Sequence, residues 1–191
     1  MKKLLIVVGL LALVPGAAFA QATYFVDYYS NNAGSLGTFD QVVRIINVGT
    51  LGTPMTSPVG DICADIYVFD ANQELIACCD QRITPNGLDS ASVGNQLTNN
   101  PVTSVVPPAG VIKIATTPAP CGTPLTAADA SLAVVFATHL QVTGGATFVT
   151  ETQILSSPLS VVEAEFLPQA CSFARYVGSG RAFCTSSTPG D

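Results

Sequence analysis

The chain has 191 residues and a formal charge of −6, with seven Lys and Arg against thirteen Asp and Glu. So few cations argue against a phosphate-binding stripe, and hence against nucleic acid or an anionic lipid surface as partner. Only 10% of the residues are charged and 48% are hydrophobic, which is the opposite of a disordered composition, and the length fits one folded domain.

In chain order, Met1-Lys2-Lys3 supplies a positive start, Leu4 to Ala17 an apolar stretch, and Ala18-Phe19-Ala20 a small-x-small end. This layout predicts a signal peptide over residues 1–20 and a single β-rich exported domain over residues 21–191. The apolar run is broken at Pro15-Gly16 and falls short of the ~20 residues of a spanning helix. Gln21 stands where a lipoprotein would need its cysteine. No second long apolar run follows, so no membrane insertion is expected after cleavage. Removing Lys2 and Lys3 leaves Arg44, Arg82, Lys113, Arg175 and Arg181 against thirteen acids, a formal −8.

Tyr24 to Tyr29 and Phe39 to Val48, rich in aromatic and β-branched residues, read as two strands around a loop at Asn31 to Thr38. Gly49 to Gly60 is a flexible connection. Ile62 to Phe69 and Leu75 to Ile83 form a hairpin about the four-residue turn Asp70-Ala71-Asn72-Gln73. A second turn, Thr84-Pro85-Asn86-Gly87, with Gly87 in the left-handed region, leads to Leu88 to Val93 as the third strand of a meander. After a polar loop at Asn95 to Pro108, Gly110 to Thr116 is a short buried strand, and Thr117 to Ala130 is another loop. Leu132 to Thr143 and Ala146 to Leu155 flank Gly144-Gly145, a two-residue hairpin signal. Ser160-Val161-Val162-Glu163 is a capping box. Val162, Phe166, Phe173 and Val177 then recur at helical spacing, with Pro168 predicting a kinked or two-piece helix near 161–177. The expected fold is mainly β: an antiparallel β-sandwich with one kinked C-terminal helix, stabilised by disulfides.

The six cysteines, Cys63, Cys78, Cys79, Cys121, Cys171 and Cys184, are the disulfide candidates. Six cysteines allow fifteen full pairings, and excluding a bond between the adjacent Cys78 and Cys79 leaves twelve. In a strand these two point to opposite faces and need different partners. One is expected to meet Cys63 across the central hairpin: Cys78 with the turn as drawn, Cys79 after a one-residue slip. Cys171 with Cys184 is the favoured remaining pair. With no C-x-x-C pair and one histidine, structural disulfides outweigh a metal site.

No catalytic, cofactor-binding or metal-ligating residue, and no cofactor, is expected. His139 shares a strand face with Ala133, Val135 and Ala137. A two-residue turn places it opposite Thr150 and puts Glu151 on the other face, which blocks a His–Glu pair. Glu163 and Glu165 do not face each other on a helix. Asp61, Asp65, Asp70 and Asp80 read as a solvated acidic rim, since no calcium-loop pattern accompanies them. Tyr24, Tyr28 and Tyr29 could offer an aromatic face for a sugar.

Cys63-Ala64-Asp65-Ile66-Tyr67-Val68-Phe69-Asp70, Cys78-Cys79, Thr84-Pro85-Asn86-Gly87-Leu88 and Gly110-Val111-Ile112-Lys113-Ile114 resemble a group of uncharacterised exported bacterial proteins. Cys171-Ser172-Phe173 and Gly178-Ser179-Gly180-Arg181 are similar too. The resemblance implies no activity, cofactor or site. Similar chains carry further cysteines near positions 81 and 186, where this one has Gln81 and Ser186, so no disulfide pattern carries over.

The expected function is therefore a non-enzymatic exported domain for binding, adhesion or surface structure, with a surface glycan or a protein as partner. The alternatives are a secreted hydrolase using converging carboxylates and a self-assembling surface or filament subunit with an exposed strand edge. The localisation that follows is secreted, periplasmic or extracellular. Intact-mass analysis of protein from its native host should find a chain that begins at Gln21; a mature chain retaining Lys2 would refute the signal peptide.

Overall fold

A computed structural model describes residues 22–31, 40–53, 55, 58–99, 105–125 and 132–177. The predicted signal peptide, Cys184, Gly178-Ser179-Gly180-Arg181 and the chain end lie outside these residues. The fold is mainly β, as expected. One antiparallel sheet has the strand order β4-β3-β6-β1-β9, built from Leu75–Ile83, Ile62–Asp70, Ala109–Pro118, Ala22–Ser30 and Ser156–Leu159. The other has the order β5-β2-β7-β8, built from Leu88–Ser92, Val42–Asn47, Ala133–Thr143 and Ala146–Ile154. A single helix, α1, spans Val161–Tyr176. No helix among the described residues is long and apolar enough to cross a membrane.

Period-two alternation divides β3 between two cores. Ile62, Ala64, Ile66 and Val68 turn inward and pack with Val43, Ile45, Ala133 and Val135 of the second sheet. Tyr67 and Phe69 turn outward and join Leu159, Leu167, Cys171 and Ala174. Eight consecutive residues of β3 are thus buried, which is why its sequence reads as a nearly continuous apolar run.

The helix starts as its sequence directs and presents a different face from the one predicted. Ser160 Oγ accepts from the Glu163 N–H at 3.1 Å, which is half of a capping box. The Glu163 carboxylate pairs with the Lys113 ammonium on β6. One continuous helix runs through Pro168, so the two-piece alternative does not hold. The expected stripe of Val162, Phe166, Phe173 and Val177 is exposed, Phe173 at 68%. Leu167, Cys171 and Ala174 are the buried residues. Their i, i+4, i+7 spacing is equally helical, and the small Cys and Ala let the helix come close to the sheet.

The disulfides explain that choice of face. Cys78 bonds Cys171, with Cα atoms 5.8 Å apart, and Cys63 bonds Cys121, with Cα atoms 5.1 Å apart. Cys79 is disulfide-bonded as well. Both sequence-based pairings are overturned. Cys171 is committed to Cys78, so it cannot meet Cys184. Cys63 and Cys78 do share the outer face, but Cys63 lies opposite Arg82 and Cys78 opposite Tyr67. Four residues of strand separate them by about 13 Å, beyond disulfide reach. Closing a loop of the size between Cys78 and Cys171 is worth roughly 4–5 kcal/mol in the chain-entropy model.

The predicted meander is also corrected. β5 does not extend the sheet of β4; it pairs with β2 in the other sheet. The crossing corner is fixed by Asn47, which is fully buried. Its Nδ2 donates to Gly60 O at 3.0 Å and Ile83 O at 2.9 Å, and its Oδ1 accepts from Gly49 N at 2.9 Å. Its backbone exchanges bonds with Asn86 and Gly87. Within that turn Asn86, not Gly87, takes the left-handed conformation, with φ +61°, a role its short polar side chain tolerates.

Elsewhere the hairpins are as read. Gly144 and Gly145 have φ +62° and +81°, and His139 faces Thr150. The strand β9, containing Pro158, was not foreseen; it flanks β1 over Ala22–Phe25, with β6 on the other side. β1 is therefore flanked on both sides at Tyr24 and Phe25.

Truncation should separate the two helix faces. Leu167→Ala is expected to cost about 2–5 kcal/mol because the side chain is fully buried, whereas Phe173→Ala should stay within about 0.5 kcal/mol. Equal effects in denaturant unfolding would contradict this packing.

Candidate functional site

Where α1 lies over the outer face of the five-stranded sheet, a cleft of about 720 Å³ remains beside the buried contact. Its floor is polar because β3 and β4 alternate: Asp65 and Tyr67 from β3 and Asp80 from β4 face out, and Glu165 and Arg175 of the helix line the wall. Asp65 and Asp80 are direct cross-strand partners, which places their Cβ atoms about 5 Å apart.

Two carboxylates that close destabilise each other if both ionise. Here they hydrogen-bond to one another, and the Asp65 carboxyl is pushed up to about 7. The largest cause is burial, since Asp65 is only 5% exposed. The charge of Asp80 and the hydrogen bond from the protonated form of Asp65 add to it, while Arg175 opposes. Arg175 Nη2 stands 3.8 Å from Asp80 Oδ2 and donates to Cys78 O at 3.4 Å. The Tyr67 phenol is also raised, first by burial and then by Asp65, so it stays a neutral donor. The Asp65 carboxyl therefore gains and loses its proton around neutral pH, a donor when protonated and an acceptor when not.

The acidic rim predicted from sequence is not a rim. Asp61 is fully buried and accepts at Oδ2 from Arg82 Nε and Nη2, at 2.8 and 2.5 Å. Asp70 accepts from the Asn72 and Glu74 N–H groups and shapes the hairpin turn. Only Asp65 and Asp80 converge. Among the described residues, no cluster of three or more His, Cys, Asp or Glu is placed to hold a metal ion.

His139 does lie on the inward face of β7, with Glu151 on the other side bonded to Arg44 at 2.7 Å. Its partner comes from the opposite sheet: Nε2 is 3.0–3.1 Å from both Asp27 oxygens. The Tyr28 ring stacks on the imidazole at 4.6 Å. Burial raises the Asp27 carboxyl, an effect opposed by His139. This pair was missed, although Asp27 between the inward-facing Phe25 and Tyr29 is a polar residue in an apolar row. His139 does not line the cleft. The three tyrosines form no common face, because Tyr29 is buried in the core and Tyr28 is exposed.

Neither a known family model nor a curated protein matches the sequence. Among solved structures, a crystal structure of Thermotoga maritima 1070 aligns with 75% of this chain and 99% of that one, at 11% identity and a TM-score of 0.44. The Anabaena sensory rhodopsin transducer aligns with 67% of this chain and 94% of its own, at 9% identity and a TM-score of 0.34. Likeness at this level carries no inference about function.

The raised Asp65 carboxyl makes stability depend on pH. Below the unfolded value near 4, both states hold the proton and the contribution is complete. As pH rises toward 7 the unfolded chain ionises first, the native state holds more protons, and stability falls by up to about 1.4 kcal/mol per pH unit. Thermal unfolding should therefore give a higher midpoint at pH 5 than at pH 8. Asp65→Asn, which keeps a donor toward Asp80, should remove the largest share of that slope. Asp27 and Asp89 are raised as well and leave a residue of the same sign. An unchanged slope in the variant would refute the assignment.

Proposed function

We propose that the chain is an exported binding domain whose cleft between α1 and the five-stranded sheet holds a neutral, polyhydroxylated ligand such as a glycan. The observation that carries this reading is the cross-strand Asp65–Asp80 pair on the floor of a cleft of about 720 Å³. Such a pair offers a donor and several acceptors side by side, which suits adjacent hydroxyl groups. Pro124, Leu159 and Pro168 offer apolar wall to the C–H face of a ring. Anionic ligands are disfavoured because the four described cations are each engaged: Arg44 with Glu151, Arg82 with Asp61, Lys113 with Glu163 and Arg175 with Asp80. The signal-like residues 1–20 and the disulfides support an oxidising, exported location.

The same pair favours a second reading, a secreted hydrolase. A carboxyl poised near neutral pH beside a second carboxyl group is suited to general acid–base work. The two are adjacent, however, and do not stand ~5–9.5 Å apart as in most glycosidases.

A glycan panel read by calorimetry, beside a panel of hydrolase substrates, distinguishes these readings. Binding without turnover, weakened about tenfold or more in both Asp65→Asn and Asp80→Asn, is the expected outcome. Turnover abolished by either variant would establish the hydrolase. Ligand binding that is indifferent to both substitutions would remove the cleft from consideration.

A further inference from the structure

We infer that the chain pairs with a second copy of itself along the outer edge of β8, so that the four-stranded sheets of two molecules run on into each other. The inference does not rest on the cleft or its ligand. Among the described residues β8 is a terminal strand of its sheet. The other three terminal strands carry features that discourage strand addition. β9 has four residues and contains Pro158, β5 has five residues, and β4 bears Asp80, Arg82 and an irregularity in its pairing with β3. β8 runs for nine residues without proline and pairs with β7 in one unbroken register. Its one charge, Glu151, is bonded to Arg44 at 2.7 Å.

The register identifies which backbone groups that edge offers. Gly144 and Gly145 form a two-residue turn of positive φ, so Thr143 and Ala146 exchange both of their hydrogen bonds, and every second residue repeats the arrangement. Phe148, Thr150 and Thr152 therefore bond to β7. Thr147, Val149, Glu151 and Gln153 turn their N–H and C=O groups the other way, toward the outer edge.

A second copy fits this edge because the strand is complementary to itself. With a twofold axis at Val149, antiparallel pairing sets Val149 against Val149 of the second copy and Thr147 against its Glu151, in about six backbone hydrogen bonds. Phe148 then lies diagonal to Phe148 of the second copy, within reach of an aromatic contact. In the single chain Phe148 is 54% and Val149 56% exposed, and the pairing covers both. An axis at Glu151 would set two carboxylates face to face, and one at Thr150 would set Val149 against Glu151. The apolar residues and the charge thus select the same register. The contact uses one patch twice, so association through this edge stops at the dimer.

Light scattering of the intact, oxidised protein across a dilution series tests this. The expected mass is that of two chains, falling toward one on dilution. Val149→Lys places two ammonium groups opposite each other and should weaken the dimer about tenfold or more. Val149→Pro removes an N–H that β7 does not use, so it should give a folded monomer by circular dichroism; if that variant does not fold, Val149→Lys decides. Phe173→Ser, on the exposed helix face, should leave the dimer intact. Three results would overturn the inference: a monomer at every concentration, a dimer indifferent to Val149→Lys, or a dimer lost in Phe173→Ser. Glycan binding by the cleft is read separately and is unaffected by any of them.

Discussion

The bond between Cys78 and Cys171 decides what the outer face of the five-stranded sheet becomes. Without a cover, Tyr67 and Phe69 would stand in water and their apolar area would be lost to the second core. The disulfide brings one particular helix face onto them, and Leu167 and Ala174 follow because they share that face with Cys171. The cover is what lowers the dielectric around Asp65. The same covalent constraint that secures a second small core therefore produces the one carboxyl in the cleft that is poised near neutral pH. Stability and chemistry have a common origin here.

Asn47 performs the corresponding task for the inner core. A chain passing from one sheet to the other must bury backbone at the corner, and buried amides without partners are costly. Asn47 meets the requirement with its whole polar inventory, joining Gly49, Gly60, Ile83 and the turn at Asn86 and Gly87. A hydrophobic residue of similar size would fill the space and leave several of these groups unpaired.

Much of the strand architecture was legible, because period-two alternation and turn residues are local properties. The Gly144-Gly145 hairpin and its His139–Thr150 register follow from two glycines that accept positive φ. What failed depended on choices between locally equivalent options. Two apolar stripes run along α1, and only the cysteine on one of them selects it. Thr84-Pro85-Asn86-Gly87 turns the chain equally well within a sheet or between sheets, and the deciding residue, Asn47, lies some forty positions away. The convergence of Asp65 and Asp80 was hidden for a different reason. Their parity on the hairpin was readable, but their burial required knowing that a helix covers that face. Asp27 and His139 meet across two sheets, a juxtaposition no short window contains.

The charges around the cleft limit what it can hold. Arg82 is tied to the fully buried Asp61 through two donors to one oxygen, and removing Arg82 would strand the buried Asp61 carboxylate, a strongly destabilising change. Lys113 is committed to Glu163 at the start of the helix. Arg175 has the loosest attachment of the four, its nearest carboxylate oxygen lying at 3.8 Å, where a half-exposed pair contributes little. Of the two cations whose partners are exposed, Arg44 and Arg175, only Arg175 lines the cleft and can shift there without leaving an ion buried and unpaired. A ligand hydroxyl arriving between Arg175 and the Asp65–Asp80 pair would meet a guanidinium donor and two carboxyl groups at once. An anion would gain the guanidinium and lose to two aspartates and Glu165, so the electrostatics of the cleft select against negative charge before any question of shape arises.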